Sequence, residues 1–128
     1  MSVTGGRETI LVIEDEAMLR DLLRASLEAK GYNVLTSSDG AEAVRLYEKR
    51  HGEIALVISD LGLPKLDGTV VFSELRKTNP HAKILMASGY VDPGVKSGLL
   101  KAGAKGFLQK PFEPVEILRR VRETIDGE

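Results

Sequence analysis

The strongest constraint on the fold of this chain is a regular alternation of short apolar runs with longer amphipathic segments. The first, third and fourth runs are almost continuously apolar, as expected for parallel strands that are covered on both faces. The second and fifth runs are more mixed, which suits strands at the edges of a sheet. The five runs span about residues 8–13, 33–36, 54–59, 83–87 and 106–109.

The segments between these runs have the periodicity of amphipathic helices. In the first segment, Leu23 and Leu27 belong to an apolar stripe, and Arg20, Arg24 and Glu28 lie on the opposite, polar face. This division predicts a helix that packs its leucines on the sheet and turns its charged residues to solvent.

The second segment is expected to begin at Ser38 or Asp39, because either side chain can accept hydrogen bonds from the free N–H groups of a first helical turn. The apolar positions that follow predict that Ala41, Val44 and Tyr47 face inward.

The fourth segment has the weakest helical pattern. It opens with Asp92-Pro93-Gly94 and contains Gly98, which costs roughly 1 kcal/mol relative to alanine in a helix interior. Two interpretations stay open. The segment is either a short, poorly packed connector or an element kept marginally stable so that it can move.

The repeated strand–helix pattern predicts an α/β fold: a doubly wound, five-stranded parallel sheet with helices on both faces. The common order for such a sheet is 2-1-3-4-5, as in flavodoxin-like folds, with a crevice at the carboxyl ends of strands one and three. At 128 residues the chain fits one domain. We expect a flexible lead-in over residues 1–7 and a single domain over residues 8–126.

Composition excludes several classes of function. The chain has 18 basic and 19 acidic residues, so its net charge of -1 does not favour nucleic acid or an anionic membrane as a partner. It contains no cysteine, which excludes disulfides and thiolate chemistry. No apolar run approaches the roughly 20 residues of a membrane span. We therefore expect a cytoplasmic globular domain.

Acidic residues end two of the predicted strands. Glu14 and Asp15 follow the first apolar run, and Asp60 follows the third. The predicted strand order makes these strands neighbours, so the three carboxylates should converge. Ionised carboxylates repel one another at short range unless a cation joins them, and Mg²⁺ prefers oxygen ligands and retains waters or phosphate oxygens. The sequence therefore predicts an acidic Mg²⁺ site suited to phosphoryl chemistry.

Two further polar residues are expected at the same edge of the sheet. Ser88 follows the fourth run and Lys110 follows the fifth. A hydroxyl and an ammonium group there can hold the oxygens of a phosphoryl group. Because a cis bond before proline costs only about 0.5–1 kcal/mol, we predict a cis peptide bond between Lys110 and Pro111.

In combination, these motifs make the chain resemble the receiver domains of two-component response regulators, the group that includes the bacterial chemotaxis regulator. The resemblance covers about residues 7–125. The matching elements are Glu14-Asp15, Asp60-Leu61-Gly62-Leu63-Pro64 with Asp67-Gly68 downstream, Ser88, and Lys110-Pro111-Phe112.

The resemblance implies a phosphoacceptor and a metal site. Asp60 matches the residue that takes a phosphoryl group from a phosphohistidine on a partner protein. Asp15, Asp60 and the backbone carbonyl of Gly62 match direct Mg²⁺ ligands, with Mn²⁺ as an alternative ion, and Glu14 would act through water. The domain would catalyse its own phosphotransfer and dephosphorylation without being a conventional enzyme.

The resemblance also implies a switch. Ser88 would bind a phosphoryl oxygen, and Lys110 would pair with the phosphoryl group and with Asp60. Phe107 falls at the position of the switch aromatic, where tyrosine is common; an ordinary core aromatic is the other interpretation of this residue. Two further positions bear on the rate of phosphoryl transfer and loss. Gly62 would leave the mouth of the pocket open, and the ring of Tyr90 would shield the phosphoryl group from water.

Other classes of protein fit the sequence less well. An aspartyl-phosphate hydrolase would carry a second acid two residues after the nucleophile, where this chain has Gly62. A flavodoxin-like cofactor module would carry a phosphate-binding loop after strand one, where Glu14-Asp15-Glu16 would repel a flavin phosphate. A degenerate receiver used only for protein interaction would lack part of the acceptor, metal and lysine set.

The implied partner is a histidine kinase or a histidine phosphotransfer domain. The segment Gly106-Phe107-Leu108-Gln109-Lys110-Pro111 resembles receivers fused to sensor histidine kinases, and a stand-alone regulator is the alternative. The output partner is not indicated by the sequence. A monomer and a phosphorylation-dependent dimer are both compatible with it.

Overall fold

The computed structural model describes residues 5–63 and 66–127. The first four residues of the predicted lead-in and Pro64 of the acceptor motif lie outside the described residues. The strands are β1 (Thr9–Ile13), β2 (Asn33–Ser37), β3 (Ile54–Asp60), β4 (Ile84–Ser88) and β5 (Gly106–Gln109). The helices are α1 (Ala17–Glu28), α2 (Gly40–Arg50), α3 (Gly68–Thr78), α4 (Pro93–Lys101) and α5 (Pro114–Asp126), with a 3₁₀ turn at His51–Glu53.

The five strands form one parallel sheet in the order β2-β1-β3-β4-β5, which confirms the predicted order. Ile13 pairs with Ser59, and Asp60 pairs with Ala87 on the other side of β3. Ser88 pairs with Gln109 at the end of β5. The carboxyl ends of β1, β3, β4 and β5 therefore lie along the same edge of the sheet, with Asp60 and Ser88 as the last residues of β3 and β4.

The core consists of two apolar layers, one on each face of the sheet. In β1, Ile10 and Val12 pack in the layer that contains residues of α1 and α5. Leu11 and Ile13 pack in the opposite layer, with residues of α2 and α3. Because successive side chains of a strand point to opposite faces, burial on both sides requires an unbroken apolar run. This explains the sequence pattern of the central strands.

The start of α2 confirms Asp39 as its N-cap. The Asp39 carboxylate accepts hydrogen bonds from the N–H groups of Ala41 and Glu42, at 2.8 and 3.2 Å. The prediction that Ala41 faces inward is wrong, because Ala41 is exposed in the first turn. With the start of the helix set at Gly40, the buried positions are Gly40, Ala43 and Tyr47.

Helix α4 is poorly buried. Leu99 is its one buried residue among those described, and Val95 and Leu100 remain 41% and 44% exposed. An added methyl group at Gly98 would meet no neighbouring atom. The helix is thus held mainly by one apolar contact, which leaves both interpretations of this segment open. No helix in the described part of the chain is long and apolar enough to cross a membrane.

Arg122 of α5 ties the start of the described chain to the domain. Its guanidinium donates hydrogen bonds to the Gly5 carbonyl at 3.1 Å and to the Glu8 carboxylate at 2.7 Å. The N–H of Gly6 also donates to the Lys30 carbonyl, at 3.1 Å. Residues 5–8 therefore have defined partners, and the domain boundary near residue 8 stays a prediction.

The ion pair between Glu8 and Arg122 should make the free energy of unfolding depend on pH. Hydrogen bonds from Arg122 lower the pKa of Glu8 from its ordinary value of 4.5, against the opposing effect of burial. A depressed folded-state pKa means that this stabilisation is present above about pH 4.5 and is lost as the pH falls through the pKa of Glu8 in the folded protein.

We expect Arg122→Met to lower the free energy of unfolding at pH 7 by about 1 kcal/mol through this pair. The difference from wild type should shrink in acid, as measured by urea unfolding from pH 7 to pH 3. Arg119→Met, which removes two exposed ion pairs on the same helix, is the control. A difference that stays constant across this range would contradict the assignment.

Candidate functional site

Three acidic residues converge at the carboxyl ends of β1 and β3. One carboxylate oxygen from each of Glu14, Asp15 and Asp60 lies within 4.8 Å of the others. Glu14 and Asp60 are buried, with 1% and 4% of their surface exposed, whereas Asp15 is exposed. The site therefore has a buried acidic floor and one acid open to solvent, and the predicted convergence is present.

Lys110 lies between the two buried acids. Its Nζ is 3.1 Å from Glu14 Oε1 and 3.2 Å from Asp60 Oδ1. The lysine follows β5 directly, and its backbone N–H donates to the Ser88 carbonyl at 2.9 Å. The Lys110–Pro111 peptide bond is cis, the isomer that the sequence analysis expects. One ammonium group thus faces two carboxylates in a largely buried site.

The buried charges shift one another's ionisation. Burial is the largest cause that raises the pKa of Glu14 above its ordinary value, and the negative charge of Asp60 raises this pKa further. Burial opposes the charged form of Lys110, but Glu14 and Asp60 together raise its pKa above the ordinary value. The ammonium form of Lys110 is therefore favoured, while burial and the charge of Asp60 oppose ionisation of Glu14.

The donor set fits a hard divalent cation. Glu14, Asp15 and Asp60 each offer one carboxylate oxygen within 4.8 Å of the others. Glu14 also presents Oε1 to the ammonium group of Lys110 at 3.1 Å. Its second oxygen accepts a hydrogen bond from the N–H of Glu16 at 3.2 Å. Carboxylate oxygens and waters are the ligands that Mg²⁺ prefers.

The acids open into a cleft of about 450 Å³. A methyl group added at Gly62 would lie 3.7 Å from Asp60 Oδ2, so glycine at this position leaves the approach to that carboxylate clear. The cleft is lined by Asp15, Glu16, Asp60, Leu61, Gly62, Ser88, Gly89, Tyr90 and Lys110.

Ser88 lines the cleft, but its hydroxyl is engaged elsewhere. Ser88 Oγ donates a hydrogen bond to the Tyr90 carbonyl at 2.6 Å. The Tyr90 side chain is 81% exposed at the mouth of the cleft. The hydroxyl must leave this carbonyl before it can donate to a ligand in the cleft.

Phe107 is half-buried in β5 and lies outside the acidic cleft. It lines a neighbouring cleft of about 400 Å³ that also contains Ser88, Tyr90 and Pro93. The ammonium group of Lys96 in α4 lies 5.4 Å from the centre of its ring, within the range of a cation–π interaction. Sequence reasoning did not identify Lys96. The contact joins α4 to β5, and the sequence does not show how these two elements pack against each other.

Sequence reasoning also missed Arg20. It was placed on the polar face of α1, yet its guanidinium donates to the Glu14 carbonyl at 3.0 Å. A helical wheel shows which face carries a charge. It does not show that a side chain on that face reaches back to the loop before the helix.

Comparison with known proteins identifies the family. The family model described as the response regulator receiver domain matches residues 10–122. Because this match covers most of the chain, the chain belongs to the response regulator receiver domain family. It is a phosphoacceptor receiver domain of two-component signalling, and this family is not a class of conventional enzymes.

Curated relatives include both kinases and transcriptional regulators. The sensor kinase CckA of Brucella abortus (strain 2308) is 35% identical over 121 residues, which cover 94% of this chain and 13% of that protein. The alkaline phosphatase synthesis transcriptional regulatory protein PhoP of Bacillus subtilis (strain 168) is 39% identical over 113 residues, which cover 88% and 46%. The chain therefore spans less than half the length of these relatives.

Solved structures agree with the fold. A response regulator receiver domain protein from Clostridium thermocellum has a TM-score of 0.87 at 30% identity, covering 93% of this chain and 94% of that one. The receiver domain of a sensor histidine kinase from Pseudomonas aeruginosa has a TM-score of 0.84 at 28% identity, covering 95% and 100%. The latter structure has a magnesium ion coordinated in its active-site cleft.

The electrostatics of the site can be tested without metal. We expect Asp60→Asn to lower the pKa of Glu14, because the charge of Asp60 is one cause of its elevation. The pKa should stay above the ordinary 4.5, since burial is the larger cause and is unchanged. Carbon-13 NMR titration of the carboxyl groups, with Asp21→Asn as control, measures both effects. An unchanged pKa of Glu14 would show that the two charges are not coupled.

Proposed function

We propose that Asp60 is the phosphoacceptor of this receiver domain. The observation that carries the proposal is the position of its carboxylate at the base of an open acidic cleft, 3.2 Å from the ammonium group of Lys110. Asp15 is exposed in the loop after β1, and Glu14 is not among the described residues that line the cleft, whereas Asp60 is. Asp60 is therefore the buried carboxylate that a phosphoryl donor in the cleft would meet.

We propose that the acids hold Mg²⁺, with Mn²⁺ as an alternative. Asp15, Asp60 and the backbone carbonyl of Gly62 would be the direct ligands, and Glu14 would act through a water molecule. The convergence of one carboxylate oxygen from each of the three acids within 4.8 Å supports this arrangement. The bound ion would share the negative charge of the phosphoryl oxygens and would keep the acids ionised.

The transfer itself is a displacement at phosphorus. A carboxylate oxygen of Asp60 attacks the phosphorus of a phosphohistidine, an O–P bond forms, and the N–P bond to the imidazole breaks with its electron pair left on nitrogen. Lys110 then pairs with a phosphoryl oxygen. Ser88 releases the Tyr90 carbonyl and donates its hydroxyl to another phosphoryl oxygen. Water later hydrolyses the acyl phosphate, which returns Asp60 to its carboxylate form.

The structural effect of the new charge at Asp60 would be transmitted through residues of β4 and β5. Movement of Ser88 changes the loop that carries Tyr90, which lines the same neighbouring cleft as Phe107. Phe107 would then turn inward, and the weakly buried α4 would follow. A half-buried aromatic next to a helix held mainly by Leu99 supports this switch.

The proposed phosphoryl donor is a histidine kinase or a histidine phosphotransfer domain. An origin in a hybrid kinase is supported by the segment Gly106-Phe107-Leu108-Gln109-Lys110-Pro111 and by a sensor kinase among the curated relatives. A stand-alone regulator is the alternative. The net charge of -1 supports partners that are neither nucleic acid nor membrane. The output partner is unassigned, and the active form would be a monomer or a phosphorylation-dependent dimer within the cytoplasm.

The acceptor assignment is tested by labelling. We expect wild-type protein to gain a phosphoryl group from acetyl phosphate with Mg²⁺, and Asp60→Asn to gain none, because an amide is not a nucleophile here. Intact-protein mass spectrometry measures the product. Asp21→Asn, an exposed change on α1, should label like wild type. Labelling of Asp60→Asn at the wild-type level would refute the assignment.

The shielding role of Tyr90 is tested by the lifetime of the phosphorylated protein. We expect Tyr90→Ala to speed loss of the phosphoryl group several-fold, because the exposed ring at the mouth of the cleft would no longer restrict access of water. The decay is measured after removal of acetyl phosphate. Val115→Ala, which removes another exposed apolar side chain, should leave the lifetime unchanged. An unchanged lifetime for Tyr90→Ala would contradict the role.

A further inference from the structure

We infer that Arg20 is a positioning residue for the acidic site. It would set the affinity for Mg²⁺ by holding the backbone of the loop that carries Glu14 and Asp15. This inference rests on the proposed metal site and assigns part of its construction to a basic residue of α1.

The loop after β1 lacks strand partners for its carbonyl groups. Strand β1 ends at Ile13, and the N–H of Glu14 still donates to the Ser37 carbonyl of β2 at 3.0 Å. The carbonyls of Glu14 and Asp15 instead accept from one nitrogen of Arg20, at 3.0 and 3.4 Å. The contact to the Glu14 carbonyl is part-buried and the contact to the Asp15 carbonyl is exposed. Arg20 therefore supplies a donor at the point where the chain leaves the sheet.

The start of α1 also differs from the starts of the next three helices. Asp39, Asp67 and Asp92 accept hydrogen bonds from the first turns of α2, α3 and α4. Glu16, the N-cap of α1, makes no capping hydrogen bond with its side chain.

The Glu14 carboxylate accepts the N–H of Glu16 instead, at 3.2 Å. The Glu14 carboxylate therefore accepts a hydrogen bond at the start of α1. Arg20 of the same helix donates to the carbonyls of Glu14 and Asp15. The orientation of Glu14 and Asp15 depends on both contacts.

A positioning role and a simple charge effect predict opposite results. A positive charge near a cation site repels the cation, so removal of the guanidinium should strengthen Mg²⁺ binding if charge alone matters. If Arg20 holds the loop, its removal frees Glu14 and Asp15 and should weaken binding. The sign of the change therefore separates the two explanations.

The test uses Arg20→Met, which keeps most of the aliphatic stem and removes the donors and the charge. Arg24→Met is the matched control, because Arg24 lies one turn further along α1 and pairs with Glu28 at 3.3 Å on the exposed face. Calorimetric titration with Mg²⁺ measures affinity. Amide exchange at Glu16, measured by NMR in metal-free protein, reports on the loop itself.

We expect about 10-fold weaker Mg²⁺ binding by Arg20→Met, the lower end of the range for residues that orient metal ligands. Exchange at Glu16 should be faster in this variant, and Arg24→Met should match wild type in both measurements. Arg20→Lys, which keeps one donor and the charge, should recover part of the affinity.

Equal or tighter Mg²⁺ binding by folded Arg20→Met would overturn the inference. Arg20→Gln replaces that variant if thermal unfolding shows that it does not fold, with the same expected weakening. Wild-type protein that does not bind Mg²⁺ would instead contradict the proposed metal site, and the inference with it. The two failures are therefore distinguishable.

Discussion

The site depends on the contact between one ammonium group and two buried carboxylates. Glu14 and Asp60 lie at the ends of adjacent strands with almost no exposed surface, and Lys110 is within 3.2 Å of both. An unpaired charge in this position would be costly, so the lysine is required for the acids to be buried together. One positive charge still leaves the group of three acids negative overall. In the proposed reaction a cation and a phosphoryl group would enter together, because each compensates the charge of the other.

The arrangement of the sheet makes this contact possible. Parallel strands place every carboxyl end on the same edge, so residues far apart in sequence meet without a dedicated binding loop. The two apolar layers hold these strands rigidly. By contrast, α4 buries only Leu99 among its described residues, and the aromatic ring of Phe107 lies beside it under Lys96. A well-packed sheet edge next to a weakly buried helix is a physical basis for the proposed switch.

Much of the fold could be predicted because its signals are local. Continuous apolar runs require strands that are buried on both faces, and Asp39 marks a helix start. The convergence of Glu14, Asp15 and Asp60 followed from strand order. The inward position of Ala41 was wrong, because the phase of α2 depends on which residue begins the helix. Tyr47 is buried as predicted, and Gly40 and Ala43 are the other buried residues of the helix.

The sequence by itself determined the chemical groups of the site and the edge on which they lie, because residue type and strand order are both encoded along the chain. Only the tertiary structure decided what each group contacts. Ser88 donates to the Tyr90 carbonyl, and Arg20 reaches back to the loop before its own helix. These partners are backbone carbonyls, which every residue possesses, so no pattern of side chains distinguishes them. Their availability depends on where strands end, and that is a property of the folded chain.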